Sequence, residues 1–288
     1  MDNIPRRTID ELKFVHEQHP DCRDVFVEGP FDSAVVTWVL RASGMEAVSV
    51  YEIATIEIPD GDILAAGRRT GNRERVVLLC EMLGSRFSKQ ITCLVDADFC
   101  HVSGEFVEVP ALLYTDYSCM EMYFFRTDVV AKFFILCCRH AEWPVDNILR
   151  NMAHVLQELF LYRFANEDLR WEMDWLDKVP CLAISGESIV LYGDDFIFRL
   201  LNKNARTGEK DAFVTRVDSL RAQLSEDPRH QIHGHDFIHV LSWYIRQRGV
   251  TGDRARSPNI QISLALSVNY EELAREPMFA TLLQRLRA

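Results

Sequence analysis

The chain has 288 residues, of which 48% are hydrophobic and 26% are charged, and its formal net charge is −11. This length can build one large or two small domains around a sizeable core. The acidic balance counts against a protein that coats nucleic acid through a generally basic surface, although it permits a nuclease with a local basic patch.

The apolar segments are too short to span a bilayer, as in residues 129–138, which also contain Lys132. The first residues lack the apolar core of a signal peptide, so we expect a soluble, cytoplasmic protein without membrane attachment. The 8 cysteines form no CxxC pair, and several stand inside apolar runs. They are typical of small buried hydrophobes in a reducing compartment rather than of a disulfide frame or a zinc knuckle.

The first part of the sequence alternates predicted strands and helices. Thr8 and Glu11 have the spacing of a capping box at the start of the first helix. Helices are predicted over 8–17, 31–42 and 72–83, and strands over 24–29, 47–53, 91–95 and 112–115. This alternation predicts an α/β fold of the Rossmann-like kind, with a mostly parallel sheet, flanking helices and right-handed crossovers.

From about residue 116 the pattern becomes mainly helical. Helices are predicted over 128–140, 144–164, 211–224, 235–248 and 270–287. A short β-hairpin is predicted from 181–185 and 189–192, around Gly186 and Glu187. We therefore expect an α/β domain over 1–127 and a mainly helical C-terminal region with a small hairpin over 128–288.

Acidic side chains follow two of the predicted buried strands. Glu28 ends the first strand, and Asp96 and Asp98 follow the third. In a parallel sheet the carboxyl ends of the strands share one edge, where ligands bind, so the topology predicts that these carboxylates converge. Clustered carboxylates repel one another unless a cation is present, and oxygen ligands suit Mg²⁺ or Mn²⁺.

An alternative stays open at this point, because an isolated Glu-Gly or Asp-x-Asp is often only a solvated loop. The combination is more informative than either motif, since each follows a buried strand at the matching end. If the ion is present, it can activate water and orient a phosphate, which is the chemistry of a phosphodiesterase.

The segments Val25-Phe26-Val27-Glu28-Gly29-Pro30-Phe31-Asp32 and Leu94-Val95-Asp96-Ala97-Asp98 resemble the Toprim fold of primases, topoisomerases and OLD-type nucleases. The order of elements and the later segment Thr115-Asp116-Tyr117-Ser118-Cys119-Met120-Glu121 are similar to one group in particular. This is the AriB family of Toprim nuclease subunits, which belong to the PARIS anti-phage defence systems. The resemblance covers about residues 20–127, and Ile232-His233-Gly234-His235-Asp236 is similar as well.

The resemblance implies a Toprim-like catalytic domain and a metal-dependent nuclease that is a toxic effector of abortive infection. It implies an ABC-type ATPase partner that releases the effector on infection, a homodimer after release, and transfer RNA as the substrate class. Glu28 is then a metal ligand or general base, and Asp96 and Asp98 are metal ligands. Glu121 either belongs to a second metal position or anchors the loop after the fourth strand.

Basic and histidine side chains are candidates for contacts to substrate. Residues 67–90 carry a local excess of basic side chains, of which Arg68, Arg69 and Arg73 are the candidate phosphate ligands, because arginine pairs well with phosphate oxygens. The alternative is a solvated helix face. His233 and His235 are candidates for a phosphate or base contact, within a cluster that also contains His230 and His239. The alternatives for the cluster are a polar helix entry and a transition-metal site.

Three functions are compatible with these features. The leading hypothesis is a metal-dependent ribonuclease effector, and the second is an OLD-type DNA nuclease. The third is a non-catalytic module that holds a structural ion and docks on an ATPase. The sequence contains no GxxxxGK[ST] motif, so we do not expect this chain to hydrolyse ATP itself.

Overall fold

The computed structural model describes residues 6–186 and 188–287. It divides into two compact units. The first comprises Met1–Ala97, Phe106–Asp116 and Asn269–Ala288, and the second comprises Asp98–Glu105 and Tyr117–Val268. This division differs from a cut between residues 127 and 128, because the chain enters the second unit at Asp98, returns to the first over Phe106–Asp116 and returns to it again at Asn269.

The strands form two separate sheets. In chain order they are β1 (Asp24–Val27), β2 (Ser49–Glu52), β3 (Ile91–Val95), β4 (Leu112–Tyr114), β5 (Leu182–Ser185) and β6 (Ser188–Leu191). The first unit contains a 4-stranded sheet in the order β2-β1-β3-β4, and all of its pairings are parallel. The second unit contains the antiparallel pair β5-β6. The α/β class and the parallel sheet are confirmed.

The helices flank the sheet and fill most of the second unit. In chain order they are α1 (Ile9–Gln18), α2 (Pro30–Ala42), α3 (Asp60–Ala65), α4 (Asn72–Leu83), α5 (Cys100–Ser103), α6 (Thr127–Phe133), α7 (Val145–Asp168), α8 (Gly193–Lys203), α9 (Lys210–Arg221), α10 (Gly234–Gln247), α11 (Ser257–Ser267), α12 (Tyr270–Leu273) and α13 (Pro277–Arg287). Within the described residues, no helix is long and apolar enough to cross a membrane.

The core of the first unit forms around the two central strands. Every residue of β1 and β3 is buried, and some of their apolar side chains, among them Phe26 and Cys93, pack with those of α1 and α4. Phe26 pairs in register with Tyr51 on one side and with Cys93 on the other. Burial on both faces explains why these strands are nearly continuous apolar runs. The buried runs end at Val27 and Val95, so Glu28 and Asp96 are the first residues beyond the carboxyl ends of β1 and β3.

The second unit is organised around the long helix α7, which packs against α9 and α10. The helix predicted over 128–140 is shorter, because α6 gives way to a π-helical turn, Phe134–Cys138, and ends at Arg139 with a φ of 66°. The predicted hairpin is present as β5 and β6, and Gly186 between them has a φ of 62°. Glu187, which was assigned to the same turn, lies outside the described residues.

One helix assignment was wrong. The helix predicted over 270–287 is in fact two helices, α12 and α13, and the second begins at Pro277. Proline lacks the N–H that a continuous helix requires and is favoured in the first turn instead. The apolar spacing continues across the break, which is why periodicity alone joined the two segments.

Candidate metal centre and its surroundings

The carboxylate of Glu28 lies against the backbone of Asp96. Glu28 follows β1 and Asp96 follows β3, and these strands are parallel neighbours at the centre of the sheet. Glu28 Oε1 accepts a hydrogen bond of 2.8 Å from the Asp96 N–H. Both residues are half-buried. The first unit therefore brings Glu28 and the start of the Asp-x-Asp segment together at one edge.

The turn that contains Glu28 is fixed by contacts on both of its sides. The Asp32 carboxylate accepts the N–H of Gly29 at 3.2 Å, and Pro30 begins α2. The Asn72 amide donates to the Glu28 carbonyl oxygen at 3.0 Å. These contacts hold the Glu28 backbone, so its carboxylate is presented from a defined position rather than from a free loop.

Thr115 holds the segment that follows β3. Its Oγ1 accepts the Ala97 N–H at 3.0 Å, and its own N–H donates to the Val95 carbonyl at 3.0 Å. The side chain is almost fully buried, with 2% exposure. Thr115 thus connects the end of β4 to Ala97, the residue between Asp96 and Asp98. The sequence offers only a weak signal for this role, namely a polar residue directly after a short apolar strand.

Asp98 opens the second unit and turns the chain. Its φ is 45°, in the left-handed region that Asp tolerates better than most residues. Its N–H donates to the Ser118 carbonyl at 2.7 Å, which stabilises this backbone conformation. The residue is half-buried. A turn at this position agrees with the need for two carboxylates, separated by one residue, to face one ion; the placement of Asp98 relative to Glu28 and Asp96 stays a prediction.

Arg73 is a basic side chain that contacts the segment carrying Asp96. Its Nε donates to the Asp96 carbonyl oxygen at 3.3 Å, and its Nη1 pairs with Glu74 at 2.7 Å. The helix α4 presents it from its first turn. A guanidinium at the carboxyl end of β3 can bind a phosphate oxygen next to an ion held by Glu28.

Arg68 and Arg75 of the same segment form ion pairs with acidic side chains. Arg68 pairs with Glu74 at 2.9 Å and with Glu81 at 2.6 Å. Arg75 pairs with Asp60 at 2.6 Å, and Arg69 is half-buried. A phosphate would therefore compete with these carboxylates for Arg68.

Glu121 lies in the second unit, in the 3₁₀ segment Met120–Phe124, and is buried to 8% exposure. Its Oε1 accepts a hydrogen bond of 2.8 Å from the Gln261 amide. Its carboxylate also packs against Gly234 at the start of α10, where a side chain would collide with it. The positive end of a helix dipole favours an anion there. This geometry fits the anchoring role, and a role in metal binding stays a prediction.

His233 and His235 flank the start of α10 and differ in environment. The Nδ1 atom of His233 is buried without a hydrogen-bond partner, while His235 is exposed. Burial, assisted by Arg163, lowers the pKa of His233 to about 3. His233 is therefore neutral at neutral pH and offers a phosphate no charge. His235 keeps the accessibility that a substrate contact needs, and that contact stays a prediction.

An ion pair with a buried carboxylate lies next to these histidines and was not predicted from the sequence. Arg163 on α7 binds both carboxylate oxygens of Asp236 on α10, at 2.7 and 2.9 Å, and stacks on Trp175 at 4.0 Å. Burial works against the charged carboxylate, but the Arg163 hydrogen bonds outweigh it and lower the pKa of Asp236. Because the partners are far apart in sequence, no local spacing links them.

No protein-family model matches this chain, and no curated protein matches it. The interpretation of the site therefore depends on the chemistry of its side chains and on their placement by the sheet. The relationship to Toprim nucleases stays a prediction from the sequence motifs.

Proposed function

We propose that this chain is a Toprim-type, divalent-metal-dependent nuclease. The observation that supports the proposal most is the contact of the Glu28 carboxylate with the Asp96 backbone, at the carboxyl edge of the two central parallel strands. Ligand sites of open α/β sheets lie at this edge. Glu28, Asp96 and Asp98 are then the catalytic and metal-binding set.

The donor set suits Mg²⁺ or Mn²⁺. Both ions take carboxylate oxygens, and Glu28 and Asp96 are half-buried, which leaves room for the water ligands that Mg²⁺ retains. A carboxylate has about four acceptor positions, so the N–H bond to Glu28 is compatible with an ion on the same group. When bound, such an ion activates water and neutralises charge on the phosphate.

The side chains of the site have different roles in metal binding, proton transfer and substrate binding. Asp96 and Asp98 hold the ion, and Glu28 either joins them or accepts the proton of the attacking water. Arg73 binds a non-bridging phosphate oxygen from the side of α4, because its guanidinium is already fixed beside the Asp96 carbonyl. His235, which is exposed, is a further candidate for a contact to the substrate.

The biological role follows from the resemblance to the AriB family. The chain acts as a toxic effector of anti-phage defence that cleaves RNA, with tRNA as the preferred class. An ABC-type ATPase holds it until infection, and the released subunit dimerises. The net charge of −11 favours a compact, folded substrate over tracking along duplex DNA.

Cleavage assays with the full chain distinguish this function from its alternatives. The purified protein is incubated with tRNA or with plasmid DNA in Mg²⁺, in Mn²⁺ and in chelator, and the new ends are sequenced. We expect tRNA cleavage that requires the ion. Cleavage of DNA alone would favour the OLD-type alternative.

Matched variants test whether the carboxylates are responsible. Glu28→Gln and Asp96→Asn should abolish cleavage, while Glu57→Gln, an exposed carboxylate outside the site, should cleave like the unmodified protein. If neither nucleic acid is cut in any ion, the chain is the non-catalytic module that docks on an ATPase.

A further inference from the structure

A second cluster of metal-ligand side chains lies at the opposite edge of the sheet. His16 is in the last turn of α1, Cys22 is in the connection that follows, and Asp24 is the first residue of β1. Glu28 follows the other end of β1, roughly 13 Å away at the rise of an extended strand. The cluster is therefore separate from the proposed nuclease centre.

The three side chains converge on one point. One ligand atom from each, namely a ring nitrogen, a thiol sulfur and a carboxylate oxygen, lies within 4.8 Å of the other two. His16 Nε2 is 3.3 Å from Asp24 Oδ2, and Cys22 Sγ is 3.6 Å from Asp24 Oδ1. A tetrahedral ion with bonds of about 2.0–2.3 Å spaces its ligand atoms roughly 3.3–3.8 Å apart.

The burial of the cluster is an independent observation. The side chains of His16 and Asp24 are 0% and 2% exposed. Both ring nitrogens of His16 are buried without a hydrogen-bond partner, because the approach to Asp24 has ion-pair distance but not hydrogen-bond direction. Buried polar atoms are normally paired, and a metal bond at Nε2 satisfies one of these two nitrogens.

The ligand types select the class of ion. Imidazole nitrogen, thiolate sulfur and carboxylate oxygen are the ligands of Zn²⁺, whereas Mg²⁺ prefers oxygen alone. A thiolate, a carboxylate and a neutral imidazole balance the charge of a divalent cation, which a buried site requires. The C-terminal end of α1 also favours positive charge.

We propose that His16, Cys22 and Asp24 bind Zn²⁺ or a similar thiophilic divalent ion. The fourth position is filled by water and is reached past Cys22, which is half-buried. The ion connects the end of α1 to the start of β1 and so stabilises the first unit. The competing arrangement is a buried His–Asp pair beside a protonated cysteine without any ion.

Cobalt substitution in the full chain tests this site. Metal-free protein is first saturated with Mg²⁺, which occupies all-oxygen sites, and is then titrated with Co²⁺. We expect one equivalent to bind with a thiolate-to-cobalt charge-transfer band and the intense visible bands of tetrahedral cobalt, and Zn²⁺ to displace it. Wild-type protein without the thiolate band would overturn the proposal.

Two cysteine variants locate the ligand. Cys22→Ser should lose the charge-transfer band and bind Zn²⁺ at least tenfold more weakly, whereas Cys137→Ser, which changes another half-buried cysteine, should retain both properties. An unchanged band in Cys22→Ser would also overturn the proposal. Alkylation of the unmodified protein, mapped by mass spectrometry, needs no variant: Zn²⁺ should protect Cys22 and leave Cys137 reactive, and equal reactivity with and without Zn²⁺ would contradict the site.

Discussion

The Glu28 side chain and the Asp96 backbone are joined by a hydrogen bond of 2.8 Å, although 68 positions separate them in sequence. The contact exists because β1 and β3 are parallel neighbours and both end at the same edge. Glu28 therefore has two separable properties, an acceptor oxygen that supports the loop and a negative charge that suits an ion.

Substitutions at Glu28 should separate these two properties. Glu28→Gln keeps an acceptor for the Asp96 N–H, so we expect an almost unchanged thermal midpoint and a fall in cleavage of about 10²-fold or more. Glu28→Ala should also lose about 1–3 kcal/mol of stability, because the N–H loses its partner. The measurements are cleavage rates and thermal denaturation, with Glu57→Gln as control. Equal cleavage by Glu28→Gln and the control would contradict the assignment.

Arg73 and Arg68 should differ in their effect on substrate binding. Arg73 touches the Asp96 carbonyl, whereas Arg68 is held by Glu74 and Glu81. We expect Arg73→Gln to raise KM and to reduce the salt dependence of cleavage. With one phosphate contact fewer, the variant releases fewer counterions when it binds the substrate. Arg68→Gln should change KM and the salt dependence of cleavage less than Arg73→Gln does.

A salt series of cleavage rates measures this difference for the two single variants and for a variant of Arg68, Arg69 and Arg73 together. The triple variant should have a flatter salt slope than the unmodified protein. If its KM and slope are unchanged, these arginines form only a solvated face.

Gly234 should not tolerate a side chain. A Cβ at this position would collide with the Glu121 carboxylate and lie 2.9 Å from Cys119 Sγ. We expect Gly234→Ala to lose about 1–3 kcal/mol of stability through overpacking. Gly208→Ala is the matched control, because a Cβ there meets open space. Equal midpoints of chemical denaturation for the two variants would show that Glu121 is not fixed against α10.

The stability of the second unit should fall in mild acid because of His233. Its folded pKa is lowered to about 3, while an unfolded histidine titrates near 6.5. Between these values the unfolded chain binds the extra proton, so the contribution of His233 is complete above about pH 6.5 and is lost as the pH falls towards 3. The charged groups that act on its ring are Arg163, Asp236, His235 and His239.

Chemical denaturation between pH 7 and pH 5 measures how the free energy of unfolding depends on pH. A single titrating group can change this free energy by at most about 1.4 kcal/mol per pH unit. Because burial also lowers the pKa of His239, His233→Gln should reduce the slope without abolishing it, whereas the exposed His154→Gln should leave it unchanged. The Asp236 carboxylate, whose pKa is lowered, loses its contribution at more acidic pH, so it does not confuse the result. If the unmodified protein, His233→Gln and His154→Gln have the same pH dependence of stability, the ring of His233 is accessible to water in the folded protein.

The sequence was sufficient for the features that depend on local pattern. The strand predicted over 91–95 coincides with β3, and the capping box of Thr8 and Glu11 is present. Burial of both sheet faces makes such strands continuous apolar runs, and a parallel sheet fixes which ends meet. The proximity of Glu28 to Asp96 follows from those two facts.

Features that depend on distant partners could not be predicted. Arg163 and Asp236 form an ion pair across 73 positions, and Gln261 reaches Glu121 across 140. Neither spacing leaves a periodic signal. The ion pair between Arg68 and Glu81 could not be predicted either, because the number of charges in a segment does not reveal which side chains pair with each other.

Direct measurement of Mn²⁺ binding tests the central claim, that the carboxylates at this sheet edge, with Asp96 as a ligand, hold a divalent ion. Free Mn²⁺ is measured by electron paramagnetic resonance during titration of the protein, with one equivalent of Zn²⁺ present to fill the thiolate-containing site. One tightly bound Mn²⁺ is expected in the unmodified protein and in Glu57→Gln, and its loss is expected in Asp96→Asn; weaker binding by Glu28→Gln would identify Glu28 as a ligand, and unchanged binding would identify it as the proton acceptor. Indistinguishable Mn²⁺ binding by all four proteins would contradict the account.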